Sequence, residues 1–359
     1  MDAPTTGASA PDTTAGSTGP AAVAGSFAPD TAGAPVTRSR PRHAASSSRE
    51  PVRSAVVYNP VRVEDLEGRR VAVEAALAEA GWPAPEWIET SAEDPGAGQS
   101  RQAVEDGARV IFACGGDGTV RSCIEGVAGT EAALAVLPAG TGNLLATNLG
   151  IPDDPKAGVQ LATQWGRRRL DVGEVDGHVF AVMAGMGFDA ALLDDASTTL
   201  KAKFGPVAYV LSALKHLRDR RMRVAVYIDD RPPVRRRART VVVGNVGRLQ
   251  GGVKLLADAE PDNGQMDVAI LAPHRLGHWV QMIWGIVRQN RDIAHMDVLR
   301  GTRIRVVCDR EQRRQLDGDV IEPGRSLVVT VRPGALELCV PQPEESPDLA
   351  EGGERLGEG

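Results

Sequence analysis

Two glycine-rich turns, each leaving an apolar strand-like run and entering a helical pattern, constrain this chain more than any other feature. The first is Gly115-Gly116-Asp117-Gly118-Thr119, after the run 109–114. The second is Pro138-Ala139-Gly140-Thr141-Gly142-Asn143, after 133–137. A strand that runs through glycines into a helix makes an anion site. Glycine permits positive φ and close backbone approach, free N–H groups point outward, and the helix N-terminus adds its dipole. Two such turns after neighbouring parallel strands fall side by side at the carboxyl ends of the sheet, where open α/β sheets take ligands. Neither carries the G-x-x-x-x-G-K-[ST] of a P-loop or the G-x-G-x-x-G of a dinucleotide fold or protein kinase. Phosphate charge must therefore be met by something other than a P-loop lysine.

Strand and helix alternate around these turns. Runs 55–58, 86–89, 109–114 and 133–137 read as strands. Leu66, Val73, Leu77 and Ala80 share a helix face that Gly81 stops, and 99–106, 119–127, 144–149 and 156–164 also read as helical. That order predicts a parallel sheet covered on both faces. After Trp165-Gly166 the pattern changes. Runs 170–175 and 179–184 flank Asp176-Gly177, a hairpin dipeptide, and strands are expected at 223–229, 240–244, 266–271, 303–307 and 327–331. Helices are expected at 207–217 and 276–287. The fold class is thus an α/β N-terminal domain (54–166) with a parallel sheet and a glycine-rich nucleotide loop. A β-rich, sandwich-like C-terminal domain (167–340) follows, and its last strand is free to return to the first.

Composition matters at the ends and for partners. Residues 1–50, rich in Ala, Pro, Thr, Gly and Ser, bury too little to offset ordering entropy and read as disordered; 341–359 reads as a disordered acidic tail. With 41 Lys+Arg against 47 Asp+Glu, the chain carries −6 and is not expected to bind nucleic acid. No run reaches the roughly 18–20 apolar residues of a transmembrane segment, and no signal-peptide pattern opens the chain. Cys114, Cys123, Cys308 and Cys339 are too scattered for a disulfide framework or a C-x-x-C site, which favours a cytoplasmic address.

Taken in order, the motifs resemble the diacylglycerol kinase catalytic-domain superfamily: bacterial soluble lipid kinases, sphingosine and ceramide kinases and, more distantly, NAD kinases. The resemblance rests on Asn59-Pro60, the two glycine turns, Arg168-Arg169-Leu170-Asp171-Val172-Gly173, Gly185-Met186-Gly187-Phe188-Asp189, Gly244-Asn245 with Gly251-Gly252, the segment 257–264, and Leu316-Asp317-Gly318-Asp319. It covers 54–340 and implies ATP and Mg²⁺ as cofactors. By position, the nucleotide would meet Asn59, Thr90, Gly115, Gly116, Asp117, Gly118, Thr119, Val120, Arg121 and Thr141. Asp117 would orient the loop or the Mg²⁺ shell. The family's Leu-Asp-Gly-Glu supplies the catalytic base, which leaves both Asp317 and Asp319 as candidates here. A structural metal site of bacterial members corresponds to Glu260, Asn263 and Gln265, with Asn263 standing where a carboxylate is usual. Other departures are Val61-Arg62-Val63 after Pro60 and Arg121-Ser122 in the helix after the first turn.

The resemblance implies a phosphotransferase acting on an alcohol, with a lipid substrate at a membrane surface and a cytoplasmic, peripheral location. A homodimer is compatible with it. Diacylglycerol, giving phosphatidic acid, is the leading substrate. A sphingoid base or other lipid alcohol, NAD, and a catalytically inactive nucleotide-binding regulator are the alternatives. Arg235, Arg236 and Arg237 read first as a solvated strand and otherwise as a contact for anionic headgroups. The segment 276–287 reads first as a core helix and otherwise as the border of an acyl pocket or a membrane-dipping helix. His274 and His278 read as surface histidines at its start.

Overall fold

In the computed structural model, which describes residues 52–140, 142–164, 166–187, 221–248, 254–288 and 293–342, the alternation of the first half becomes four parallel strands. β1 (Ser54–Tyr58), β2 (Glu86–Glu89), β3 (Val110–Gly115) and β4 (Ala133–Pro138) lie in the order β2-β1-β3-β4. The central three are continuously apolar because both faces are covered. Val57, Ile111, Ala113, Leu134 and Val136 enter one core cluster, and Val56, Val110, Phe112, Ala135 and Leu137 enter the other.

The helices follow the sequence signals. Asp65 opens α1 (Leu66–Glu79) by accepting the Gly68 N–H at 3.1 Å, and Gly81 ends it with φ 74°. α2 (Ala97–Glu105), α3 (Asp117–Val127), α4 (Leu144–Leu149) and α5 (Pro155–Thr163) complete the layer. Asp154 caps α5 and Pro155 occupies its first turn, where a missing N–H does no harm.

The second half is antiparallel. β5 (Arg167–Val175) and β6 (His178–Phe180) are joined by Asp176 and Gly177 with φ 51° and 86°, the paired positive values that an Asp-Gly hairpin turn requires. The expected strand 179–184 is instead two. β6 stops at Phe180 and β7 (Met183–Met186) begins afresh, because the N–H groups of Ala181 and Val182 leave the ladder for the Asp317 carboxylate. β8 (Met222–Ile228), β9 (Val234–Ala238), β10 (Thr240–Gly244), β11 (Met266–Leu271), α6 (Leu276–Val287), β12 (Met296–Gly301), β13 (Arg303–Leu316) and β14 (Asp319–Cys339) follow. β9 and β12 carry no strand signal. Both are edge strands, half in water, so no apolar alternation is imposed on them. β13 and β14 run well beyond the expected segments because their outer positions are charged while Ile304, Val306, Leu327 and Val329 point into a third core cluster.

The end of β14 pairs in parallel with β4, Glu337 against Ala133 and Leu338 against Leu134. Among the described residues this joins the two halves into one sheet of 14 strands, ordered β12-β11-β10-β7-β13-β14-β4-β3-β1-β2, with β5–β6 and β8–β9 attached to β14 and β13. The four cysteines are buried and unpaired. No helix among the described residues is long and apolar enough to cross a membrane. The expectations for 1–50, for a helix at 207–217, for Phe188 and Asp189, and for the tail from 343 onward lie outside the described residues.

Candidate active site

The two glycine turns lie against each other at the carboxyl end of the parallel sheet. Ala139 N–H donates to the Gly115 carbonyl at 2.9 Å, and a Cβ added to Gly140 would stand 2.7 Å from Gly116 Cα. A Cβ on Gly115 would stand 2.6 Å from the Thr119 Cβ. None of Gly115, Gly116, Gly118 and Gly140 has positive φ. These glycines therefore serve close approach, not left-handed backbone. The left-handed position of the second turn is taken by Asn143 (φ 44°), whose side chain folds back to donate to the Gly140 carbonyl at 2.9 Å.

Asp117 ties the turns together. Its Oδ1 accepts the Leu144 N–H at 2.6 Å, so the first residue of α3 holds the first residue of α4. Burial raises its carboxyl above the usual range; the Leu144 and Asn143 N–H groups pull it back, and the Asp319 charge adds to the rise. Asn59 reaches the same place from β1. Its Oδ1 accepts from Val61 and Arg62, and its Nδ2 lies 3.5 Å from the Thr119 hydroxyl. Thr90 is buried at the end of β2, bonded through its N–H to the Tyr58 carbonyl at 2.9 Å. The Val120 side chain enters the core, so only its backbone can face a ligand. Thr141 lies outside the described residues.

The β13–β14 turn brings Asp317 and Asp319 to these loops with different surroundings. Asp317 is 5 % exposed and takes a left-handed φ of 49°. Its two oxygens accept three backbone N–H groups, from Ala181 at 2.9 Å, Val182 at 2.9 Å and Met183 at 2.7 Å. Burial pushes its carboxyl up to about 6, against those donors and the Arg121 charge, which pull it down. Asp319 is open, with 48 % of its side chain exposed. Its carboxylate lies 3.4 Å from where a Gly118 Cβ would be and accepts from Arg121 Nε at 3.0 Å. Of the two, only Asp319 presents a carboxylate to the space over the glycine loop.

One residue that sequence reasoning did not single out holds this hairpin, and two motif members brace the chain beside it. Gln315 Oε1 accepts the Gly318 N–H at 2.7 Å, and its chain lies where a Cβ on Gly185 would be, 2.8 Å from Nε2. Asn245 is fully buried and donates to the Asp171 carbonyl at 2.7 Å and the Ala181 carbonyl at 3.0 Å. The Asp171 carboxylate in turn accepts from Gly264 and Gly334. Asp171 and Asn245 were visible as motif members; nothing in the pattern distinguished Gln315 from any other strand residue.

Glu260, Asn263 and Gln265 lie together on the loop before β11, away from the glycine turns in sequence. Asn263 Oδ1 accepts the Gln265 N–H at 2.9 Å. Arg300 pairs with the buried Asp267 at 2.7 Å, donates to the Asp258 carbonyl, and is further held by the Glu260 charge. Asp262 is paired with Arg168 at 2.7 Å.

Comparison with known proteins gives matches across the whole described fold. Residues 53–175 match the model of the diacylglycerol kinase catalytic domain, and 181–340 that of the YegS C-terminal NAD kinase beta sandwich-like domain. A Pseudomonas aeruginosa protein named "Probable lipid kinase YegS-like" is 32% identical over 263 residues, covering 68% of this chain and 82% of that protein. A Bacillus subtilis protein named "Diacylglycerol kinase" is 26% identical, covering 74% of this chain and 89% of its own length. The crystal structure of a diacylglycerol kinase from Bacillus anthracis superposes with a TM-score of 0.63 at 18% identity, over 82% of this chain and 98% of that one.

Proposed function

Since this chain belongs to the YegS-like, diacylglycerol kinase-type family of lipid kinases, we propose that it moves the γ-phosphoryl group of ATP to a lipid hydroxyl, with diacylglycerol as the first substrate. The single observation that carries the proposal is the meeting of the exposed Asp319 carboxylate with the paired glycine turns at the start of α3.

The geometry supports the following roles. Backbone N–H groups of residues 116–119, with the Thr119 hydroxyl that Asn59 orients, hold the triphosphate, and Thr90 and Thr141 are assigned to it by their positions in the sequence motifs. Asp117 keeps the two turns in register through Leu144. Asp319 takes the proton of the acceptor hydroxyl as its oxygen attacks the γ-phosphorus and the bond to the β-phosphate oxygen breaks, releasing ADP. Arg121 aims that carboxylate. Asp317, closed off by three N–H donors, builds the turn and does not act as the base. Asp117, the carboxylate of the first glycine turn, would hold a Mg²⁺ ion, which would supply neutralisation of the phosphate charge.

The Glu260, Asn263 and Gln265 loop has a different charge balance. Asn263 offers a neutral amide whose Oδ1 already accepts the Gln265 N–H, and the Arg300 guanidinium lies in the field of the Glu260 charge. These residues do not fit a resident divalent cation, and Arg300 fastens the loop in its place. We assign the protein to the cytoplasmic face of a membrane, bound peripherally.

Radiolabelled ATP offered with diacylglycerol, sphingosine or NAD tests the reading. Labelled phosphatidic acid is the expected product. Transfer to sphingosine or to NAD would reassign the acceptor, and ATP binding without any transfer would make the chain a nucleotide-binding regulator.

A further inference from the structure

Three guanidinium groups stand on the outer strand pair without an ion pair among the described residues; the one carboxylate lining their groove, Asp309, accepts the Arg223 backbone N–H at 3.1 Å. β8 and β9 pair so that Arg223 faces Arg237 and Ala225 faces Arg235, which puts all three arginines on one face because side chains alternate. All three are exposed. Arg236, pointing the other way, pairs with Asp297 at 2.8 Å, but among the described residues Arg223, Arg235 and Arg237 make no ion pair. Like charges directly opposed across two strands repel, so this arrangement is relieved by a polyanion.

The arginines line a groove of about 820 Å³ that extends to Arg221 and His274. From there the surface continues onto α6. His278, in the first turn of α6, stacks on His295 at 3.8 Å, and His274 lies edge-on to it at 5.5 Å, so His295 is not the isolated residue its sequence position suggests. α6 is apolar on both sides. Met282 and Ile286 are buried, yet Val280 is 48% and Trp284 56% exposed, and the Arg288 guanidinium covers the Trp284 ring at 4.5 Å. Residues 268–291 contain no Asp or Glu, in a chain whose net charge is −6. A solvent-facing Trp beside Arg on an otherwise apolar helix is the composition of helices that lie in a bilayer interface. Met282 and Ile286, on the opposite side of α6, enter the same core cluster as Leu144 and Leu145 of α4.

We infer that Arg223, Arg235 and Arg237, together with the Trp284 face of α6, form the surface by which this protein docks on an anionic phospholipid bilayer. The inference deepens the lipid-kinase reading and rests on it for choosing a bilayer over other polyanions. The charge complementarity is local, since the chain as a whole is acidic and an anionic surface attracts it only through this face.

Co-flotation of the full chain with phosphatidylcholine vesicles, with and without phosphatidylglycerol, is the test. Binding is expected only to the phosphatidylglycerol vesicles and is expected to fall with salt. The combined Arg223→Ser, Arg235→Ser and Arg237→Ser variant should lose about fivefold in partitioning for each guanidinium removed, and the corresponding triple Arg→Lys variant should keep it. Brominated lipid should quench tryptophan emission in the wild type and less in Trp284→Phe. Equal flotation of wild type and the serine variant, or no flotation of wild type, overturns the inference. So does retention on single-stranded RNA in place of vesicles. Diacylglycerol phosphorylation in detergent micelles separates the two readings. Turnover there without flotation sinks the docking surface alone, and flotation without turnover sinks the lipid-kinase reading while the docking surface stands.

Discussion

Arg121 Nε lies 3.0 Å from Asp319 Oδ2, a contact across 198 residues of chain that ties the helix leaving the first glycine turn to the hairpin between β13 and β14. Arg121 also lies 4.0 Å from Glu125, one helical turn on, so its head is held from two sides. Gly118 lies on this approach, where a Cβ would stand in van der Waals contact with the carboxylate, 3.4 Å from Oδ2. The first glycine loop and the exposed carboxylate thus belong to one assembly.

Substitution separates the two aspartates of that hairpin. Asp319→Asn is expected to lower kcat by about 10²–10⁴-fold with the thermal midpoint unchanged, as befits an exposed general base. Asp317→Asn replaces an acceptor of three N–H groups by one whose NH₂ opposes a donor, and should lower stability by about 1–3 kcal/mol. Thermal melts and initial rates on the same two proteins decide; the reverse pattern would exchange the two roles.

Asp317 also predicts a pH dependence of stability. Its carboxyl is raised from 3.8 to about 6 in the folded protein, so folding binds its proton more tightly. The contribution is fully present below the unfolded value and is lost as pH rises through the folded one, amounting to about 3 kcal/mol. Melting wild type against Asp317→Asn should therefore show the wild type losing ground from about pH 4 to about pH 7. A constant difference across that window counts against it.

Gly140→Ala tests the contact between the turns. The new methyl would press on Gly116 backbone, which cannot yield as a side chain tip would. The expected result is an overpacking cost of about 1–3 kcal/mol and an ATP affinity at least tenfold weaker, read by calorimetric titration. Gly150→Ala, at a position with open space but positive φ, should weaken the fold without that loss of affinity.

Arg121 is expected to act through Asp319. Arg121→Ala should reduce kcat about tenfold or more while changing the melting midpoint little, because a partly exposed ion pair contributes at most about 1 kcal/mol. Arg121→Lys should restore part of the rate. An unaltered kcat in the alanine variant removes the positioning role.

The loop before β11 offers a comparison of cation and guanidinium. Arg300 bonds Asp267, which is buried, and the Asp258 carbonyl. Arg300→Ala leaves that carboxylate unpaired and should destabilise by about 3 kcal/mol, whereas EDTA should leave the wild-type melting curve in place. A chelator-sensitive midpoint would return a metal to the loop.

Much of this was legible in the chain. The glycine turns, their flanking strands and helices, and the Asp-Gly hairpin at Asp176 follow from local rules, since apolar runs, caps and left-handed dipeptides act over a few residues. The edge strands β9 and β12 were not legible, because a strand half in water needs no pattern of its own. The break between β6 and β7 was hidden for another reason. Its cause is a carboxylate about 135 residues further on, which draws two N–H groups out of the ladder.

The same division runs through the candidate site. Residue type and spacing pointed to two glycine turns at the end of a parallel sheet, and the resemblance to a known family pointed to one of two aspartates in Leu-Asp-Gly-Asp as meeting them. Which aspartate, and in what company, only the tertiary structure decided. Both are carboxylates two positions apart in a tight turn, and their difference lies in what the distant chain brings to each: three buried N–H donors to Asp317, open space and a guanidinium to Asp319.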